Sequence, residues 1–321
     1  MKMTLDSLKT NMQTYVDQAN QLADLRSDVN SFTKMVDKIG KQITLQTFYY
    51  DRLTSLDAED LPLGKSIEEF MISLTESKSY DDADPESDLA PALPDVEKAS
   101  YSYSLGKRFV RTTVPYNVYE RSMISTEGAA NFGADIMNKL ENSYQITKYA
   151  TKKQLLGNAG KKAIEAGLTS TLPVVVKEEG GTTIVDATAG EKFVMQIKQD
   201  VEAAQFPNQK NIAGALVGGT PELVLYVRSG TLPSLEVSTL SGAFHREDLA
   251  IPAKIEVVDD FGDNEDVVAI LADSRAIKLY NGYNAVRSKE NAVKDWITFV
   301  RHFEWTGFIS KFAFIKAYKQ A

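Results

Sequence analysis

Chemistry has few places to begin in this chain. Gly64-Lys65-Ser66 spells the end of a phosphate-binding loop, in which backbone amides cradle phosphates, a lysine neutralises them and a hydroxyl meets magnesium. The first glycine of that loop would fall at position 59, which is Glu59, so the cradle has no geometry. Asp260-Phe261-Gly262 spells a kinase metal-binding triplet, but the catalytic HRD loop that accompanies it is missing. The acids Asp259, Asp260, Asp263 and Asp266 form a loop where weak calcium binding is conceivable. Gly262 comes too early for the EF-hand order, and a solvated turn is the simpler reading. The two histidines, His245 and His302, lie too far apart for a local metal motif, and no GxSxG elbow occurs. Without cysteine there is no thiolate nucleophile, zinc–thiolate site or disulfide. The expectation is a building block with no catalytic residue, no metal site and no cofactor.

What remains is charge placed for contact. Between Leu61 and Tyr116, LPLGKSIEEFMISLTESKSY is followed by the acidic stretch DDADPESDLAPALPDVEK and then by YSYSLGKRFVRTTVPY. The last segment sets Tyr101, Tyr103, Leu105 and Phe109–Val110 among polar residues, as a half-exposed strand would. Together these segments read as a long ribbon arm with a polar, proline-bearing tip. A two-stranded ribbon is marginal alone in water, so it needs a surface to lie on. Its few apolar side chains place that surface on another molecule. Lys107, Arg108 and Arg111 sit on one limb; Asp81, Asp82, Asp84, Glu86 and Asp88 sit at the tip. Solvated charge accounts for them most simply. The sharper reading is pairing between arms of neighbouring copies, which would set register more than affinity.

An arm needs a body. The stretch Ser125–Leu156 contains no proline and opens on Ser125 or Thr126, either of which can cap exposed amides. Glu127 adds negative charge at the positive end of the helix dipole. Phe132, Ile136, Leu140 and Tyr144, with Gly133 and Met137 beside them, form one apolar face. Asn131, Asp135, Asn138, Glu141, Asn142 and Gln145 form the polar one. At ~1.5 Å per residue this helix is roughly 45 Å long, a strut on which other elements lie. Gly157, Asn158 and Gly160 are expected to end or bend it, with Lys161–Ala166 as a continuation.

Ahead of the arm, Leu5, Leu8, Met12, Tyr15, Ala19, Leu22, Leu25, Val29, Phe32, Val36, Ile39 and Ile43 form a heptad-like seam with one stammer. It is either an amphipathic helix on its own domain or a helix that docks on neighbouring copies or an assembly factor. Beyond the strut, residues 172–187 read as a β-hairpin and Glu191–Ala204 as an amphipathic helix. ELVLYVRSG, a helix SLEVSTLSGAF, AKIEVVDDF and VVAILADSRAIKLY then make an α+β lobe. Trp296–Tyr318 reads as paired strands, broken at Gly307, that return to cover the strut.

At 321 residues the chain can bury a substantial core in two or three lobes. The net charge of -8 argues against sequence-independent gripping of nucleic acid, which needs basic residues in excess. Neither a membrane-length apolar run nor a signal-peptide h-region is present, so synthesis in the cytosol is expected.

Several segments, in order, resemble the major capsid proteins of tailed bacteriophages, which share the Hong Kong 97 fold; the likeness is closest to the phi29-like and crAss-like branch. Leu63-Gly64-Lys65-Ser66-Ile67-Glu68-Glu69 resembles the start of that family's E-loop, and Leu93-Pro94-Asp95-Val96 with Tyr101 and Tyr103 its return. The strongest likeness is Glu222–Phe261, followed by Val268–Asp273, which resembles the strand leading out of the axial domain. The resemblance implies an α+β fold of the Hong Kong 97 type, with a long spine helix, an extended two-stranded E-loop, and peripheral and axial domains. It divides the chain into an N-terminal helical arm (1–62), the E-loop (63–116), a peripheral domain with the spine helix (117–190), an axial domain (191–285) and C-terminal strands returning to the peripheral domain (286–321). It implies a non-enzymatic subunit that assembles with many copies of itself, as hexamers and pentamers, into an icosahedral shell enclosing double-stranded DNA without reading its sequence. Portal, scaffold and decoration proteins are the further partners, with no membrane, and Lys107, Arg108, Arg111, Asp81, Asp82 and Asp84 are the inter-subunit candidates. An encapsulin-like cellular compartment shares this fold and is the nearest rival. A tail or adhesion component is the rival of another class, though the repeats expected of a fibre are absent.

Overall fold

The computed structural model describes residues 51–61, 66–72, 96–101, 104–122, 126–172, 176–179, 182–185, 187–207, 209–217, 219, 222–229, 231, 251–262, 264 and 266–320. The seam at 5–43, the acidic stretch with Asp81, Asp82 and Asp84, and the expected helix SLEVSTLSGAF lie outside the described residues.

In chain order, a short 3-10 turn at Thr54–Leu56 leads to β1 (Asp57–Asp60), β2 (Ile67–Ile72), β3 (Val96–Tyr101) and β4 (Ser104–Pro115). Helices α1 (Tyr116–Ser122) and α2 (Thr126–Glu165) follow, then β5 (Thr169–Leu172), β6 (Val176–Glu179), β7 (Thr182–Val185) and α3 (Ala187–Ala203). The rest is β8 (Gln209–Lys210), β9 (Leu216–Val217), β10 (Leu223–Arg228), β11 (Lys254–Val258), β12 (Val267–Asp273), β13 (Ile277–Asn291), β14 (Trp296–Ile309) and β15 (Ile315–Gln320). A four-stranded sheet runs β1-β13-β14-β4, a five-stranded sheet runs β11-β10-β12-β15-β5, and β2–β3, β6–β7 and β8–β9 are separate pairs. The chain divides into two compact units, and α2, β13 and β14 contribute residues to both.

In the unit holding residues 106–150 and 281–305, the apolar face of α2 lies under β14. Ile136, Met137 and Leu140 share a core with Val114, Tyr119, Ile297 and Phe299. Tyr144 meets Phe303 edge-on at 5.1 Å and Trp305 at 5.3 Å between ring centroids. Glu141, placed by spacing on the polar face, is buried. Arg301 reaches it from β14 with a short ion pair, stacks over Tyr144 at 3.8 Å and donates to Asn284 at 3.0 Å. A carboxylate with a guanidinium of its own can leave water, and helical periodicity does not foresee this. The β13–β14 hairpin turns at 292–295: Asn291 accepts the amides of Val293 and Lys294, and Asp295 takes φ 52.

The other unit, with residues 52–105, 151–280 and 306–321, is built in layers. Leu223, Leu225 and Val227 from β10 share a core with Phe193, Val194, Ile197 and Val201 of α3. Such alternation sends every second side chain of a strand to one face. All seven residues of β12 are buried, as a central strand covered on both faces requires. On the other face lies the second half of α2, where Gly160 stands so close that an added Cβ would sit 3.2 Å from Ile270 Cδ1.

The strut is therefore longer than its pattern suggested: 40 residues, or ~60 Å at ~1.5 Å per residue. Gly157 and Gly160 do not end it. A Cβ on Gly157 would lie 2.2 Å from the carbonyl oxygen of Phe261, so these glycines admit close neighbours. The helix ends at Gly167, φ +74, where the amides of Gly167 and Leu168 bond Ile164 and Ala163. That left-handed cap suits glycine best, since it has no Cβ to clash. Gly307 likewise fails to break β14, which runs on to Ile309 before β15 begins.

Candidate inter-subunit surface

The residues IEEFMI of β2 alternate between half-buried and exposed, and pairing with β3 gives the ribbon two faces. Ile67, Glu69 and Met71, opposite Tyr101, Ala99 and Glu97, make the inner face; Glu68, Phe70 and Ile72, opposite Ser100, Lys98 and Val96, make the outer.

The inner face is tied to its own unit. Glu69 accepts hydrogen bonds from Tyr101 OH at 2.8 Å and, at shorter range, from Ser310 Oγ. Tyr101 stands edge-on to Phe308 at 4.9 Å, and Asn211 approaches Met71 Sδ at 3.5 Å. Burial, then the bond to Glu69, pushes the Tyr101 phenol above its ordinary pKa. A cleft of about 710 Å³ follows β2, with Leu216, Tyr280 and Phe312 among its walls.

The outer face is different. At its root Lys98 pairs with Glu68 at 2.8 Å and lies 5.2 Å from the centroid of Phe70. Beyond that, Phe70, Ile72 and Val96 are 58%, 66% and 50% exposed. Apolar groups gathered on one face, rather than scattered, mark a contact surface.

In the first unit, β4 is the outer strand of its sheet. Thr113 meets Thr298 at 3.1 Å and Phe109 meets His302 at 6.1 Å; numbers rise on one strand as they fall on the other, so the pair is antiparallel. Lys107, Arg108 and Arg111 are exposed along this strand, with Phe109 56% exposed among them. Basic residues on an outer strand discourage indiscriminate strand pairing. Their proposed acidic counterparts lie outside the described residues, so the structure does not bring the two sets together.

The positions with chemical spelling have other work. Lys153 on α2 donates to Asp259 at 2.7 Å and Asp260 at 2.6 Å. Burial pulls its ammonium down, but both carboxylates outweigh that and hold its pKa above the ordinary value. Asp260 also accepts the amide of Gly262, which turns at φ +63. Among the described residues, no group of three or more His, Asp or Glu could hold a metal ion. No described helix is long and apolar enough to cross a membrane. Spacing missed several buried polar groups, among them Glu141, Lys152, Arg301 and Asp200. Their ion-pair partners come from distant stretches of chain, so no local signal announces them.

A long helix under antiparallel strands, a layered α+β unit and a rooted ribbon place this chain in the class of tailed-phage capsid proteins with the Hong Kong 97-type fold. The capsid structure of Staphylococcus phage Andhra shares the architecture at TM-score 0.63 and 11% identity, covering 84% of either chain. A family model described as the Phi29-like phage major capsid protein matches residues 4–315. The chain belongs to that family. It is 23% identical over 305 residues to the major capsid protein of Bacillus phage B103, covering 89% of this chain and 64% of that protein. Likeness to the major capsid protein of Bacillus phage PZA is also 23%, over 264 residues, 81% of this chain and 56% of that protein. The chain thus spans less than two-thirds of the length of these relatives.

Proposed function

We propose that the chain is the shell subunit of a phage head: many copies, arranged as hexamers and pentamers, close an icosahedral capsid around double-stranded DNA. It works by contact rather than catalysis, with the virion capsid as its location after synthesis in the host bacterial cytoplasm. The two-faced ribbon carries this reading. One face is spent on its own unit, while Phe70, Ile72 and Val96 stand in water on the other, which suits a second copy as occupant.

In this reading α2 is the spine helix, β2 and β3 are the root of an E-loop over 63–116, and 1–62 is the N-terminal arm. The peripheral domain spans 117–190, the axial domain 191–285, and 286–321 returns to the periphery. Asp81, Asp82 and Asp84 of one copy pair with Lys107, Arg108 and Arg111 of the next. Portal, scaffold and decoration proteins are the other partners. A net charge of -8 suits a wall that confines DNA without gripping it.

Electron microscopy of purified protein tests the reading: closed shells are expected, and dispersed monomers under all assembly conditions would refute it. The double substitution Phe70→Ser with Ile72→Ser should leave the subunit folded, since both side chains are mostly in water, and abolish closure. Normal shells from that variant would remove the ribbon's outer face from the interface.

A further inference from the structure

Glu69 stands on the inner face of β2, against its own unit. Its Oε1 accepts from Ser310 Oγ; its Oε2 accepts from Tyr101 OH at 2.8 Å and from the Lys311 amide at 3.4 Å. These donors come from two places. Tyr101 belongs to the ribbon's other strand, whereas Ser310 and Lys311 open the link between β14 and β15.

That link is a prepared socket. Ser310, 1% exposed, accepts the amides of Phe312 at 3.0 Å and Ala313 at 2.7 Å through Oγ. Both lone pairs are then occupied, and its one proton is left for Glu69. The Lys311 amide donates to Tyr101 OH at 3.0 Å, so the phenol accepts there and donates to Glu69. Asn211, also 1% exposed, donates to the Phe312 carbonyl at 3.1 Å, and Ala213 donates to that of Lys311 at 3.2 Å. The link is thus held by bonds that do not involve the ribbon.

The pairing of β2 with β3 keeps the ribbon together but does not aim it. The Tyr101–Phe308 contact adds burial, which has little directional preference. Bonds to a carboxylate are directional and stronger than neutral ones. We propose that Glu69 is a positioning residue for shell formation. Its carboxylate, seated against Ser310, Lys311 and Tyr101, sets the direction in which the ribbon leaves its own subunit and so presents Phe70 and Ile72 to a second copy. This rests on the shell-forming reading.

The test uses the full chain as Glu69→Ala and Glu69→Gln. Hydrogen exchange on dispersed subunits should show amides of 67–72 and 96–101 in Glu69→Ala exchanging at least tenfold faster, with β10 and β12 unchanged. The same variant should give shells of mixed diameter or open sheets. Glutamine can still accept from Ser310 and, through its amide, donate to a rotated Tyr101 hydroxyl, but it leaves Lys311 with one acceptor fewer. It should therefore restore part of both readouts. Wild-type exchange rates in the ribbon of Glu69→Ala would overturn the proposal, as would uniform acceleration that includes β10 and β12. Faster ribbon exchange beside a wild-type chain that forms no shells would overturn the part in assembly and the shell reading with it, while upholding the latch.

Discussion

The carbonyl oxygen of Phe261 lies 2.2 Å from where a β-carbon on residue 157 would stand. Gly157 sits inside a 40-residue helix, where glycine ordinarily costs ~0.5–1 kcal/mol relative to alanine. Here the sign reverses, because backbone rather than a movable side chain occupies the space. Gly157→Ala should destabilise the chain by about 1–3 kcal/mol, the usual cost of overpacking, in urea unfolding followed by circular dichroism. A gain in stability would mean that the contact yields freely.

Lys152 has no exposed side chain. It donates to the Leu53 carbonyl at 2.8 Å and pairs with Asp57 at 2.9 Å. Replacing it with alanine takes one donor from each acceptor and leaves a cavity. Breaking a buried pair costs about 3–5 kcal/mol, discounted here because Asp57 is 37% exposed. About 2–3 kcal/mol is therefore expected for Lys152→Ala in the same measurement, with Lys152→Met losing less through better filling.

Arg301→Lys retains the charge but not the planar fork that serves Glu141, Asn284 and the Tyr144 face together. A loss of about 2 kcal/mol is expected, in line with a hydrogen-bonded charge left poorly satisfied. A melting temperature within one degree of the wild type would show that lysine reaches the same partners.

Alkaline pH should weaken the fold through its raised tyrosines, of which Tyr318 and Tyr226 are the most deeply buried. Burial, then Asp200, holds the Tyr318 phenol far above its ordinary pKa of 10.0. Burial also raises Tyr226, opposed by its bond to Ser55 and helped by Glu256. Above pH ~10 the unfolded chain releases these protons and the folded chain keeps them. Stability is therefore full below pH ~10 and falls above it, by up to ~1.4 kcal/mol per pH unit for each tyrosine. Denaturant titrations at rising pH should show that slope, and Tyr318→Phe should lessen it by one tyrosine's share.

The elements of this protein were legible wherever local pattern and burial coincide. Ile136, Leu140 and Tyr144 mark a helical face that is buried in the structure, with Phe132 partly buried beside them. VVAILAD, apolar throughout, is the central strand. Glycine was the poorest guide. Gly157, Gly160 and Gly307 were expected to interrupt elements, yet Gly157 and Gly160 serve close packing, since a residue without Cβ signals either a break or a near neighbour.

By itself, then, the order of residues determined which segments are helical or extended and which of their faces avoid water, because hydrophobic spacing acts over a few neighbouring positions. Tertiary structure alone decided that Glu141 is buried, that Lys152 finds Leu53, and that Glu69 meets Ser310 across 241 positions. Those pairings depend on where distant segments come to rest, and a charge leaves water only where folding has already placed its partner.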